Sequence, residues 1–175
     1  MIISDIRIKK IPKSKKFILK NLMNLYQYDF SEFDDETNID NNSGLFNYDY
    51  IDNYWTEKSR TPFFIFYKNN LAGFALINEH TLIHKTSFKS ISEFFIMRKF
   101  RKNSIGKKVA FLIFDKFKNY NFEIAITDNN KVANIFWQKV LTEYTKESFL
   151  EKKLNNRNWK GNVLYFYRNK KYVNF

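Results

Sequence analysis

Between Ser90 and Leu141 the chain twice passes from a short apolar stretch of period two into a longer one of period 3.6. "SISEFFIM" runs through "RKFRKN" into "SIGKKVAFLIFDKFKNY", with Ile105, Val109, Leu112, Ile113 and Phe117 at helical spacing. "NFEIAITD" runs into "NNKVANIFWQKVL", with Val132, Ile135, Phe136 and Val140 along it. A strand followed by a helix and another strand returns to the sheet as a parallel neighbour. Upstream, "TPFFIFYKNNLAGFALINE" holds two β-rich runs around Asn69-Asn70, a pair suited to the positive φ of a tight turn, and predicts an antiparallel hairpin. Both pairings in one chain make the expected class mixed α/β (α+β), a central mixed sheet flanked by helices.

The remaining segments are assigned by the same periods. "IISDIRIKKI" predicts an opening strand, and "KSKKFILKNLMNLYQYDF" an amphipathic helix with Phe17, Leu22, Leu25 and Tyr26 inward. Ser31 to Asn47 reads as a long surface loop, "YDYIDNYWTEK" as a short helix, and "TEYTKESFL" and "WKGNVLYFYRNK" as closing strands joined by a basic, Asn-rich loop. At 175 residues, with 44% hydrophobic and 19% aromatic side chains, one domain over 1–175 is expected.

No cysteine is present, which removes disulfides, thiolate nucleophiles and Cys-containing zinc sites. His80 and His84 lack helical spacing in a helical context and read as surface or turn residues, so no metal is expected. The N-terminal stretch has charges scattered through its apolar residues, and the longest uncharged apolar runs fall far short of the roughly 20 residues that span a bilayer. A soluble, cytoplasmic protein without a membrane partner is expected.

Net charge is +12 and the sequence pI near 9.7. The distribution is uneven. Asp29, Glu32, Asp34, Asp35, Glu36, Asp40, Asp49, Asp52 and Glu57 fall in one segment without any Lys or Arg. Charge alone admits a basic nucleic-acid-binding module. That alternative explains neither the order of elements nor the acidic segment, and is not favoured.

The junction "RKFRKNSIGKK" between strand and helix is the informative one. A helix N-terminus presents unsatisfied N–H groups and the positive end of its dipole, Gly106 lets an anion approach the backbone, and Arg98, Arg101, Lys102, Lys107 and Lys108 surround it with charge. Ser104, with helical φ, is the expected cap. The junction reads as a phosphate cradle or, equally, as a solvated basic turn.

"GFALI", "EFFIM", "RKNSIG" and "NNKVANIFWQKV", in this order and spacing, resemble the GCN5-related N-acetyltransferases from about Phe63 to Val140. The family's loop signature, Arg/Gln-x-x-Gly-x-Gly/Ala, falls on Arg101, Lys102, Asn103, Ser104, Ile105 and Gly106. Ser104 replaces the usual first glycine. Trp137 stands where many members carry the tyrosine that protonates the leaving thiolate, and an indole N–H cannot do so. The resemblance implies acetyl-CoA as acetyl donor. It implies that Phe94, Phe95 and Ile96 line the pantetheine, with the Ile96 N–H on the acetyl carbonyl. It also implies that Lys102 to Lys107 hold the pyrophosphate through main-chain N–H groups, that Asn130 and Asn134 bond the pantetheine arm, and that Trp137 packs on it.

The implied activity is N-acetyl transfer to a primary amine by direct attack in a ternary complex. Such an amine, with a reference pKa of about 10.4, must lose a proton near pH 7. Glu93 is the candidate base: apolar neighbours raise its pKa and nearby Arg98 lowers it, and a salt-bridged strand-end glutamate is the plain alternative. In the resembling family the region before the hairpin walls the acceptor site, so the acidic segment implies a cationic small-molecule or peptide acceptor. A protein of this fold that binds coenzyme A without turnover is a further alternative. Oligomeric state is left open.

Overall fold

The computed structural model describes residues 5–168. The period-two stretches pair into one seven-stranded sheet. β1 (Ile6–Lys10), β2 (Thr61–Tyr67), β3 (Asn70–Asn78) and β4 (Phe88–Ile96) pair antiparallel in chain order. β5 (Asn121–Thr127) lies parallel to β4, followed outward by β7 (Trp159–Phe166) and the edge strand β6 (Leu150–Asn156), both antiparallel. α1 (Lys16–Phe30) and α2 (Asn53–Thr56) lie between β1 and β2, α3 (Ile105–Lys116) crosses from β4 to β5, and α4 (Lys131–Thr145) follows β5. The mixed α/β class is as expected. No helix among the described residues is long and apolar enough to cross a membrane.

Alternation along the strands splits the core between two faces. Phe63 and Ile65 on β2, Ala75 and Ile77 on β3, and Phe122 and Ile124 on β5 bury against Ile105, Val109 and Ile113 of α3 and Trp137 and Leu141 of α4. Phe64, Phe74, Leu76 and Phe95 face the other way, against Leu19, Leu22 and Met23 of α1 and Tyr54 of α2. Burial on both faces is why "PFFIFY" is continuously apolar. Gly73 sits where β3 crosses closest to β4: a Cβ there would lie 1.9 Å from the Phe95 carbonyl oxygen.

Four expectations are corrected. The hairpin turn is Lys68-Asn69, with φ of 45° and 67°, because Tyr67 pairs with Asn70 and draws Asn70 into β3. On α1 the buried stripe is Leu19, Leu22 and Met23 with Tyr26 half-buried; Phe17 and Leu25 face solvent, since the sheet covers positions i, i+3, i+4 and i+7 from Leu19. Thr142 to Thr145 continue α4 instead of starting a strand, and the basic stretch read as a loop is β6. Ser104 does not cap α3 through its side chain; its φ is +55°, in the left-handed region. Ile2, Ile3 and Ser4 of the opening strand and Asn169 and Lys170 of the closing one lie outside the described residues.

The two histidines differ in setting. His80 is exposed. His84 stacks on Phe88 with ring centroids 3.9 Å apart, and its Nδ1 lies 2.8 Å from Glu123 Oε2. Glu123 is buried on β5 and also accepts from the backbone N–H groups of Leu82, Ile83 and His84, fastening the β3–β4 loop to the sheet.

Candidate active site

β4 and β5 pair only from Phe88 to Ser90 against Asn121 to Glu123, although β4 runs on to Ile96. Beyond Ser90 the strands part, and the edge of β4 that faces β5 has no strand partner. The Met97 N–H donates to the Ala72 carbonyl at 2.9 Å. By the alternation of an antiparallel ladder, Phe94 and Ile96 then turn their N–H and C=O groups away from β3, into the gap. The Ile96 carbonyl accepts there from Arg101 Nε at 2.7 Å.

The gap opens onto a cleft of about 1320 Å³ that runs from the α3–α4 face through the sheet to the C-terminal end of α1. At its α3 end the backbone makes an anion cradle. Lys102 (φ 66°) and Ser104 (φ 55°) alternate with ordinary conformations, a pattern that turns successive N–H groups to one side. The first intrahelical donor is the Lys108 N–H, to Ser104 O, so the N–H groups of Ile105, Gly106 and Lys107 have no acceptor within the helix. Charges nearby are partly paired: Arg98 and Arg101 both bind Asp29 of α1, at 2.8 and 2.5 Å, and Lys107 binds Glu143 of α4 at 2.7 Å. The two arginines hold the Asp29 carboxyl below its ordinary range against a burial cost that acts the other way.

A bulge in β4 decides where Glu93 points. Ile77 pairs with Ile91 but Leu76 with Glu93, so Ser92 is the extra residue and the faces exchange across it. Ile91 packs toward α3 and α4, while Phe95, two residues after Glu93, packs toward α1. Ser92 lies 2.8 Å from the Tyr54 hydroxyl, and Glu93 Oε1 accepts from the Tyr48 hydroxyl at 3.1 Å. Burial raises Glu93 to about 7, and hydrogen bonds from the Tyr26 and Tyr48 hydroxyls oppose the rise. Arg98, expected to lower it, is instead occupied by Asp29.

The sequence profile of the acetyltransferase (GNAT) family matches residues 19–141, well over half of the chain. The chain belongs to the GNAT acetyltransferase family. Comparison with curated protein sequences finds no match. Among solved structures, an acetyltransferase from Thermus thermophilus superposes with TM-score 0.66 at 12% identity, covering 94% of this chain and 97% of that one. The dodecameric spermidine N-acetyltransferase from Vibrio cholerae gives 0.61 at 14%, covering 98% of both. The ribosomal-protein alpha-N-acetyltransferase RimL, solved with coenzyme A, gives 0.61 at 9%, covering 93% of both. At these identities the likeness is one of fold.

Within this GNAT chain the cleft brings together Phe94, Phe95, Ile96, Arg101, Lys102, Ser104, Ile105, Gly106, Lys107, Asn130 and Trp137. Three residues assigned from the sequence are not on its wall. Asn103 is exposed to solvent, Asn134 turns toward β7, where its Oδ1 faces Asn162 Nδ2 at 3.4 Å, and Glu93 lies off the wall, bonded to Tyr48. Asn130 lines the cleft, but its Oδ1 is engaged as the α4 cap, accepting from the Ala133 N–H at 2.9 Å. A Cβ on Gly106 would meet the Phe136 ring at 3.2 Å, so the glycine makes room first for an aromatic wall. Sequence reasoning missed Tyr26, Phe30 and Phe33 at and just beyond the α1 end, which only the tertiary fold carries to the gap; Asp29, in the acidic segment, is on the wall beside them. The carboxylates on the cleft wall are Asp29, Glu32 and Glu143, not Asp34, Asp35 or Glu36.

Proposed function

We propose that the protein transfers an acetyl group from acetyl-CoA to a primary amine, the two substrates meeting in the gap between β4 and β5. The single observation that carries this reading is the parting of β4 from β5 directly above an uncapped helix N-terminus. The gap leaves the Phe94 N–H and carbonyl and the Ile96 N–H for an amide-bearing chain, and the cradle leaves N–H groups at Ile105, Gly106 and Lys107 for phosphates. A pantetheine diphosphate has both groups in that order. Acetyl-CoA supplies an activated thioester; its thiol, with a pKa near the roughly 8.5 of cysteine, leaves readily, so Trp137 in place of a tyrosine does not stop the reaction.

The residues then divide the work. Phe94, Phe95 and Ile96 align the donor, the Ile96 N–H polarises its carbonyl, and Phe136 and Trp137 wall the arm. Glu93 receives the proton that the ammonium must lose before it can attack. The acceptor enters at the α1 end, where Glu32 favours a cation such as a polyamine or a lysine-rich peptide, Asp29 being held by Arg98 and Arg101. The test is thiol release from acetyl-CoA against a panel of polyamines, aminoglycosides, peptides and neutral amines. Turnover with cationic amines is expected, and turnover with none of the panel would refute the reading.

A further inference from the structure

Glu93 takes the proton in the function proposed above, yet it is not among the described residues that line the cleft. Its carboxylate accepts from the Tyr48 hydroxyl at 3.1 Å, and the Tyr26 hydroxyl is its other polar neighbour. Tyr26 alone of the two lines the active-site cleft; Tyr48 lines a separate, smaller hollow beside α1 and the acidic loop. Resting on that function, we propose that Tyr26 is the group that touches the acceptor amine, taking its proton while passing its own phenolic proton to Glu93.

The ring is held for this. Tyr26 stands edge-on to Phe74 at 5.7 Å and to Phe95 at 6.0 Å, and tilts against Phe30 at 5.7 Å, so three aromatic neighbours fix the direction of its hydroxyl. Phe95 is also the residue between Phe94 and Ile96, which line the gap, so the hydroxyl is tied to the strand that presents the acetyl carbonyl. Burial and the Glu93 charge push the Tyr26 phenol well up, so it does not ionise by itself. It can only accept one proton as it gives up another.

The balance is complete. The ammonium N–H breaks and a bond forms to the Tyr26 oxygen, while the phenolic O–H breaks and the proton joins a Glu93 carboxylate oxygen. The tyrosine ends as it began, the ammonium becomes the neutral amine, and the carboxylate becomes a carboxylic acid. After attack, the second N–H proton goes to the departing thiolate, and Glu93 returns its proton to solvent through Tyr26. The titratable groups facing Glu93 are Tyr26 from α1, Tyr48 from the loop before α2, and Tyr54 from α2.

The two tyrosines separate a relay from a mere hydrogen bond. Each Phe variant removes one donor to the carboxylate, so each should move Glu93 protonation to higher pH, read from the pH dependence of urea unfolding without any substrate. Only Tyr26→Phe interrupts the route. It should lower kcat about 10²-fold at every pH up to 9, with KM for acetyl-CoA within about twofold of the parent. Tyr48→Phe should lose rate near neutrality and recover most of it at pH 9. A Tyr26→Phe enzyme that regains the parent's kcat at pH 9, or a Tyr48→Phe enzyme equally depressed at every pH, would overturn the relay while leaving acetyl transfer intact. A parent that turns over no amine would instead overturn the function itself.

Discussion

Replacing Glu93 by Gln tests whether the carboxyl is as reluctant to ionise as its surroundings dictate. Burial beside Phe95 and the tyrosines raises its pKa from an ordinary 4.5 to about 7 in the folded protein. A raised pKa means the native state holds the proton more tightly than the unfolded chain. The resulting stabilisation is fully present below pH 4.5 and is lost as pH rises through 7. Linkage converts the difference to about 3 kcal/mol, most of which disappears between pH 5 and 8.5. Glutamine has no such titration, so urea unfolding of parent and Glu93→Gln at the two pH values isolates it, every other group cancelling in the difference. With an m-value of about 2 kcal/mol per M, the parent midpoint should fall by slightly more than 1 M relative to the variant. Parallel curves would show that Glu93 titrates as an ordinary carboxyl, and its role as proton acceptor near neutral pH would go with the result.

The other predictions concern the cradle and the acceptor wall. Gly106→Val should drive the Phe136 ring into the cleft, since even a Cβ meets it at 3.2 Å, and should abolish the rise in melting temperature that acetyl-CoA gives the parent. Ser104→Gly should stabilise the protein by up to about 1 kcal/mol in denaturant unfolding, because the residue now stands at φ +55° with no side-chain bond to α3. Asp29→Asn should release the hold on Arg98 and Arg101 and lower the KM for acetyl-CoA severalfold as both turn to its phosphates; an unchanged or raised KM would count against it. Glu32→Gln should raise the KM of a cationic acceptor and blunt its salt dependence, whereas joint amidation of Asp34, Asp35 and Glu36, which are off the cleft wall, should leave both nearly unchanged.

The cradle and the strand leading to it were legible because they are local. The change from period two to period 3.6 within about fifteen residues fixes β4, the loop and α3, and the charges mark the helix end at which we propose that phosphates bind. What the sequence concealed is non-local or energetically silent. β6 is exposed along almost its whole length, so its ladder with β7 makes it a strand without any apolar pattern to announce it. Ser104 in a left-handed conformation defeats an expectation built on capping chemistry, since the loop needs the turn more than it needs the hydroxyl. The Ser92 bulge shifts Glu93 to the α1 face, and no residue type at that position signals a bulge. Tyr26 sits at a correct helical position in the sequence reading, yet that it lines the cleft while Glu93 does not follows only from the packing of α1 across the sheet.

Glu123 has a mechanical consequence. β4 and β5 touch over three residue pairs at one end, and the loop entering β4 is bolted to β5 there by a single buried carboxylate holding three amides. The two halves of the sheet therefore act as the arms of a clothes-peg, with Glu123 as its spring pin. Slack at the pin is magnified along the arms, so the spacing at Ile96 is governed from a residue at the other end of β4 that never meets a substrate.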